Sequence, residues 1–328
     1  MAESCILYGV SGSTKTSQIV HFAKWVYETT GKRTRLITGD GGGFKPIEDS
    51  GLVDVGVVDV FDYSACDFPL ATLRRLSKGH WPYRVKGADG KVEVKIIPTP
   101  IAKWAEVGAY AVEGASSISD MLLSHVASQE EKVMFENVRY EEDGEVFGSN
   151  NEGHYGLVQK EIFNMVMAMK ALPVDYVVWT ALVGKGDDKK TRETLYGPQI
   201  AGNAKTPVAP QWFGTCLHLH QFMNEIKEEG TGITTYQNHP VAFFVNHPDE
   251  QTGIRYLAKP RCAPSEYPEL VKMFPGGYIS LEPDAGVEKY FKALGKLGVT
   301  GRAKTAAWKE KLDAGRAKTE SASSPPKG

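Results

Sequence analysis

Only four of the 328 residues are cysteine: Cys5, Cys66, Cys216 and Cys262. None stands in a CxxC spacing, so neither a structural zinc site nor a disulfide framework is indicated, and a reducing, cytoplasmic setting is expected. An excess of charge of one sign is also missing, since 38 basic residues face 40 acidic ones for a formal net charge of −2. That balance provides no global field for nucleic acid, and any such contact has to come from local patches. No apolar run reaches the ~18 residues needed to cross a bilayer, and the N-terminus lacks the basic-then-apolar order of a signal peptide. No membrane contact is expected, and no internal repeat is found. What is present, 41% hydrophobic residues, suffices for one large α/β core with insertions.

The apolar run Cys5 to Tyr8 ends in glycines, and Ile19, Phe22, Ala23 and Val26 then recur at helical spacing: strand, loop, helix. "TRLITGD", Thr34 to Asp40, reads as a second buried strand that stops at Gly41, Gly42 and Gly43. From Phe44 to Ala105 prolines and glycines break the pattern, which predicts an inserted elaboration with one hairpin in "YRVKGADGKVEVKII". "VGAYAVEG" predicts a strand ending at Glu113, followed by a helix marked by Ile118, Met121, Leu122 and Val126, with Ser116 or Ser117 as its cap. The polar segment Glu141 to Gly156 reads as a mobile loop, and Leu157, Ile162, Phe163 and Val166 mark another helix. "VDYVVWTALVG", Val174 to Gly184, is a β-branched and aromatic strand, followed by a long loop rich in Lys, Gly and Pro. The strands "TCLHLHQF", "VAFFVN" and "GIRYLAK" succeed one another without long helices, as antiparallel additions to a parallel sheet would. One domain over residues 1–300 and a polar, flexible tail over 301–328 are expected.

The chemistry concentrates in "LYGVSGSTKTSQ". A phosphate loop surrounds phosphates with consecutive backbone N–H groups at a helix N-terminus, reaches the terminal ones with a lysine, and holds Mg²⁺ with a Ser or Thr hydroxyl. Gly9, Val10, Ser11, Gly12, Ser13, Thr14, Lys15, Thr16 and Ser17 supply those parts, in the right place between an apolar strand and an amphipathic helix. The usual spacing GxxxxGK[ST] would put glycine where Thr14 stands. The bare alternative is a glycine-rich turn without a ligand. Glu113, at the end of another core strand, suits the carboxylate that holds the Mg²⁺ water shell, against the plainer reading of a solvated strand-end acid.

Lys15 and Thr16 after the first strand, Asp40 after the second, "AVEGASSISDMLLSHV" and "YVVWTALVG" together resemble the RecA-like core of phage AAA-type ATP-binding proteins, single-strand-annealing recombinases among them, over residues 4–262. The resemblance implies a RecA-like P-loop fold: a mostly parallel sheet flanked by helices, with antiparallel strands on its C-terminal side. It implies an ATPase that uses ATP and Mg²⁺, assembles as a homo-oligomeric ring or filament, and acts on single-stranded DNA in recombination, annealing or replication. Residue by residue, Asp40 would polarise the attacking water, Glu113 would be the acid of the Mg²⁺ site, and Thr180 would sense the γ-phosphate. Lys259 and Arg261, in "YLAKPRCAP", would enter a neighbouring subunit's ATP site as a trans-acting Lys-x-Arg element. Lys185, Lys189, Lys190 and Arg192, among acidic neighbours, match a DNA-binding loop by position. The chain departs from that pattern at Thr14, at Glu113 where aspartate is usual, and at Asp40 where glutamate is commoner.

His218 and His220 share a strand face without a third metal ligand nearby in sequence, and read as a satisfied pair. Two other functions stay open: a P-loop kinase for a small acceptor, and a nonhydrolysing nucleotide-binding scaffold.

Overall fold

In the computed structural model the first strand, β1 (Glu3–Gly9), is buried along its whole length and leads through a short loop into α1 (Lys15–Thr30). The structure describes residues 1–40, 44–64, 66–86, 91–129, 138–149, 153–188, 190–200, 205–227, 234–261, 267–282 and 285–297. The expected tail, Lys189, Cys262 and the three glycines after Asp40 lie outside them.

After α1 come β2 (Arg33–Thr38), the short α2 (Lys45–Asp49) and β3 (Val58–Asp62). Next are α3 (Pro69–Ser77), a hairpin of β4 (His80–Lys86) and β5 (Val92–Pro98), and the buried β6 (Val107–Glu113). α4 (Ala115–Gln129), β7 (Val138–Glu142), β8 (Glu145–Ser149) and α5 (His154–Lys170) lead to β9 (Tyr176–Asp187) and β10 (Thr194–Pro198). The chain closes with β11 (Thr215–Lys227), β12 (Thr234–Phe243), β13 (His247–Pro248), β14 (Arg255–Tyr256), α6 (Tyr267–Met273), β15 (Tyr278–Ser280) and α7 (Glu288–Lys296).

The result is a mixed α/β architecture around a mostly parallel sheet. Its parallel part runs β3-β2-β6-β9-β1-β11. β12 and β15 continue it antiparallel beyond β11, and β10 folds back antiparallel on the far end of β9. Because side chains alternate along a strand, β1 serves two cores. Ile6 and Tyr8 pack with Leu122, Ile162 and Trp179 on the α3–α5 face, and Cys5 and Leu7 pack with Phe22, Trp25 and Phe291 on the α1–α7 face. β9 lies between β1 and β6 although β6 precedes it in sequence. The C-terminal ends of β1, β9 and β6 therefore stand side by side, where the order of connections changes and open α/β sheets form their crevices.

Three expectations need correction. The segment 44–105 is not purely an elaboration, because β3 joins the core sheet beside β2, with Leu36 opposite Val60. Its remainder is anchored by Arg35, 3% exposed, whose guanidinium donates to Thr99 Oγ1 (2.7 Å), Tyr110 OH (2.7 Å) and Tyr83 OH (2.6 Å) and lies 4.8 Å from the Trp81 ring. Residues 141–149 are not a mobile loop but one arm and the turn of the β7–β8 hairpin, turned by Asp143 (φ 51°) and Gly144 (φ 72°). Of the three strands expected to add antiparallel, "TCLHLHQF" (in β11) joins β1 in parallel, and "GIRYLAK" is a strand only at Arg255–Tyr256, parallel to β10 and antiparallel to β13.

The hairpin is tied down by Glu142, 4% exposed, whose Oε2 accepts the N–H groups of Leu70 (2.8 Å) and Ala71 (3.2 Å) in the first turn of α3. Burial pushes its pKa up to about 7, against the lowering effect of those two bonds. A folded-state value above the ordinary carboxylate range means that the folded protein binds this proton more tightly than the unfolded chain. The stability gained is complete below the unfolded value and is lost as pH rises through about 7. Thermal melts of wild type and Glu142→Gln from pH 5 to 8 are expected to show the wild type losing stability relative to the variant as pH rises; parallel profiles would contradict this.

Candidate nucleotide site

The loop after β1 is closed on itself. Gly9 cannot carry a side chain, since a Cβ there would stand 2.5 Å from Ser13 Oγ and 2.6 Å from Leu219 O. Ser13 N donates to Val10 O at 3.2 Å, and Gly12 turns the chain at φ +78°. Gln221, on β11, donates its amide to Gly12 O at 2.9 Å and so holds the outer edge of the loop. Lys15 Nζ folds back to donate to Val10 O at 2.7 Å and Gly9 O at 3.1 Å. Burial lowers its pKa, while the nearby carboxylates of Glu113 and Asp40 oppose that shift.

Thr14 occupies the place of the missing glycine with a glycine's backbone: φ is 64° and ψ 16°, left-handed, immediately before α1. For a β-branched residue this is a genuine outlier, costing ~1–2 kcal/mol. Its Oγ1 is buried without a hydrogen-bond partner. Thr14→Gly is therefore expected to raise thermal stability and to keep or improve ATP affinity, read by melting and by titration calorimetry. A tenfold or greater loss of affinity would contradict this and give the orphaned hydroxyl a direct ligand contact.

Glu113 closes the site from β6. It is 4% exposed, with Oε1 accepting from Thr16 Oγ1 at 3.0 Å and Oε2 accepting from Thr38 Oγ1 at 3.3 Å. Burial raises its pKa, the Thr16 bond counteracts, and the Asp40 charge adds to the rise. Asp40 stands two residues beyond β2, its N–H donating to Thr38 Oγ1 at 3.3 Å. Thr180, fully buried on β9, accepts from Gly114 N at 2.9 Å and fixes the end of β6 against that of β9. Lys15, Thr16, Asp40, Glu113 and Thr180 thus line one cleft of about 430 Å³ with the loop.

The oxygen donors of Thr16 and Glu113, with a second carboxylate close by, are the hard, anionic set that suits Mg²⁺ beside phosphate oxygens. No group of three or more His, Cys, Asp or Glu able to hold a metal by themselves occurs among the described residues; Mg²⁺ beside phosphate takes one or two protein oxygens and keeps several waters.

The other candidates lie elsewhere. Lys259 pairs with Cys216 in an isolated bridge, its Nζ donating to Phe213 O at 3.3 Å. Arg261 forms an ion pair with Glu3, which is 4% exposed at the start of β1. A seven-residue strand, ~20 Å at ~3.3 Å per residue, separates the Arg261–Glu3 pair from the loop after β1, so Arg261 does not serve the cleft of its own chain. Lys185 is on β9 opposite Tyr196, and Lys190 and Arg192 sit in the turn that follows, where Lys190 N donates to Asp188 Oδ1. This part of the expected DNA-binding loop is a β-hairpin.

Three residues escaped the sequence reading: Gln221, Thr38 and the true part played by Ser116. Ser116 lies inside α4 and does not cap it; its Oγ donates to Gln199 O (2.8 Å) and accepts from Leu182 N (2.9 Å). A polar residue within an apolar strand was the available signal for Thr38, and nothing in the pattern marked Gln221. No helix among the described residues is long and apolar enough to cross a membrane. No protein-family model matches the chain, and no curated protein matches it in sequence.

Proposed function

We propose that this chain is a RecA-like P-loop ATPase that binds ATP with Mg²⁺ at residues Gly9 to Ser17 and acts, as a homo-oligomer, on single-stranded DNA. The observation that carries the reading is the 3.0 Å hydrogen bond from Thr16, in the first turn of α1, to Glu113 at the end of β6, beside a lysine folded into the loop. A side-by-side order of β1, β9 and β6 that brings Thr180 between them supports it further. On binding, Lys15 exchanges the carbonyls of Gly9 and Val10 for phosphate oxygens, and the loop N–H groups and the start of α1 face the anion. Thr16 and Glu113 would hold Mg²⁺, which when bound neutralises charge on the phosphates. Asp40 orients the attacking water and accepts its proton as the γ-phosphoryl group leaves ADP.

The test is phosphate release from ATP with and without single-stranded DNA. Turnover that DNA stimulates is expected. Binding without release would make the chain a nucleotide-dependent scaffold, and transfer to a small acceptor would make it a kinase.

An action of Arg261 across a subunit interface requires it to leave Glu3, at the cost of stranding a buried carboxylate. In that reading, Asp40→Asn and Arg261→Ala subunits, each inactive, regain part of the activity when mixed. No recovery from variants that fold, bind ATP and assemble would leave Arg261 as a structural partner of Glu3.

A further inference from the structure

A second cleft, of about 660 Å³, is built on β11, the strand whose Gln221 bonds the phosphate loop at Gly12 O. Its walls are aromatic: Phe222 and His220 on β11, Phe243 at the end of β12, and His247 and Tyr256 from the β13–β14 pair. The rings are ordered among themselves. His247 stacks on Phe243 with centroids 3.7 Å apart, His218 behind them stacks on Tyr256 at 4.0 Å, and His218 Nδ1 and His247 Nε2 share a hydrogen bond of 2.8 Å. Burial is the main cause that holds both imidazoles neutral, with the pKa of His247 lowered to about 4 and that of His218 to about 2. Among the described residues the lining has no lysine or arginine, and its rim carries Asp249 and Glu250. The cleft therefore repels phosphate and favours a flat, uncharged, heteroaromatic ring. Gln221, between His220 and Phe222 on β11, turns its side chain to the other face of the strand and donates to Gly12 O, so the strand that carries two of the rings also holds the phosphate loop.

We infer that this cleft holds the base of the nucleotide whose phosphates occupy the loop. The inference rests on the phosphate-loop reading above. The two halves of the ligand meet opposite surroundings: loop N–H groups and Lys15 at the anionic end, and neutral rings able to stack at the other. Gln221 then ties occupancy of one half to the shape of the other, because a base that moves β11 moves the hydrogen bond on Gly12. The histidine pair, which could pass for the start of a metal site, turns its facing nitrogens on each other, and His247 presents a neutral ring to the cleft.

The test separates base from phosphate. Calorimetric titrations of wild type, Phe222→Ala, Tyr256→Ala and Lys15→Ala are made with ATP and with inorganic tripolyphosphate, which lacks a base. Loss of one stacking ring is expected to weaken ATP binding roughly tenfold, while tripolyphosphate binds as in wild type, and that binding also reports that the variants are folded. Lys15→Ala is expected to lose both ligands. If ATP and tripolyphosphate weaken together, or neither changes in the two aromatic variants, the base cleft is wrong and the phosphate loop stands. If wild type binds neither ligand, the phosphate-loop reading falls and takes this inference with it. If the aromatic variants lose affinity for a single-stranded oligonucleotide but not for ATP, the cleft takes a base from DNA and the inference is overturned.

Discussion

Lys15→Ala is expected to lower ATP affinity by ~30-fold or more, with no loss of folding. The Lys15 ammonium sits half-buried in the loop, bonded to two carbonyls that present no charge to it. A triphosphate offers it charge-assisted bonds instead, and removing one partner of a desolvated charged pair costs about 2–5 kcal/mol. Stability should hardly change, since alanine is a good helix former at the first position of α1. Calorimetry for affinity and a melting curve for folding check both halves. Unchanged affinity would place the phosphates elsewhere.

Glu113→Gln is expected to abolish turnover, by ~100-fold or more in kcat, while ATP still binds. Glutamine keeps the length and can still accept the hydroxyl of Thr16 or Thr38, so the local packing survives. What it removes is the negative charge beside Thr16, on which the proposed metal site depends, and a misplaced metal leaves the transition-state charge unscreened. ATP affinity measured without Mg²⁺ should rise, because the carboxylates of Glu113 and Asp40, which repel the phosphates, are reduced to one. A variant that hydrolyses ATP at the wild-type rate would remove Glu113 from the machinery.

The strand, loop and helix around Lys15 were legible because their parts are consecutive: an apolar strand, two glycines, Lys15 and Thr16, and then an apolar periodicity that α1 obeys with Ile19, Phe22, Ala23 and Val26 buried. Glu113 was legible as the acid that ends an apolar run. The sheet's flanks were harder to read. β3 is a five-residue strand carrying two aspartates, and only its pairing with β2 gives it a place in the core. The β7–β8 turn did have a local signal, an Asp-Gly pair with both residues at positive φ, as a two-residue hairpin prefers; the surrounding glutamates made the segment look like a solvated loop. The strand was expected to end at Gly184, yet β9 runs on to Asp187 because β10 pairs with it antiparallel, Gly184 opposite Gly197 and Asp187 opposite Thr194. Arg35 and Gln221 act through partners far away in the chain, Tyr110 and Gly12, and no local pattern could announce them.

Thr14 was the residue that set this loop apart from the usual spacing, and the fold shows a threonine adopting the conformation that the glycine would have supplied. The threonine thus strains the loop, and the central claim, that the loop binds a nucleotide, can be tested on the unaltered protein. Titration of ATP into the wild-type chain, with Mg²⁺ and again with the metal chelated, is the most direct measurement. Saturable binding of one ATP per chain, altered by removal of Mg²⁺, is the expected result; no detectable binding under either condition would contradict the claim.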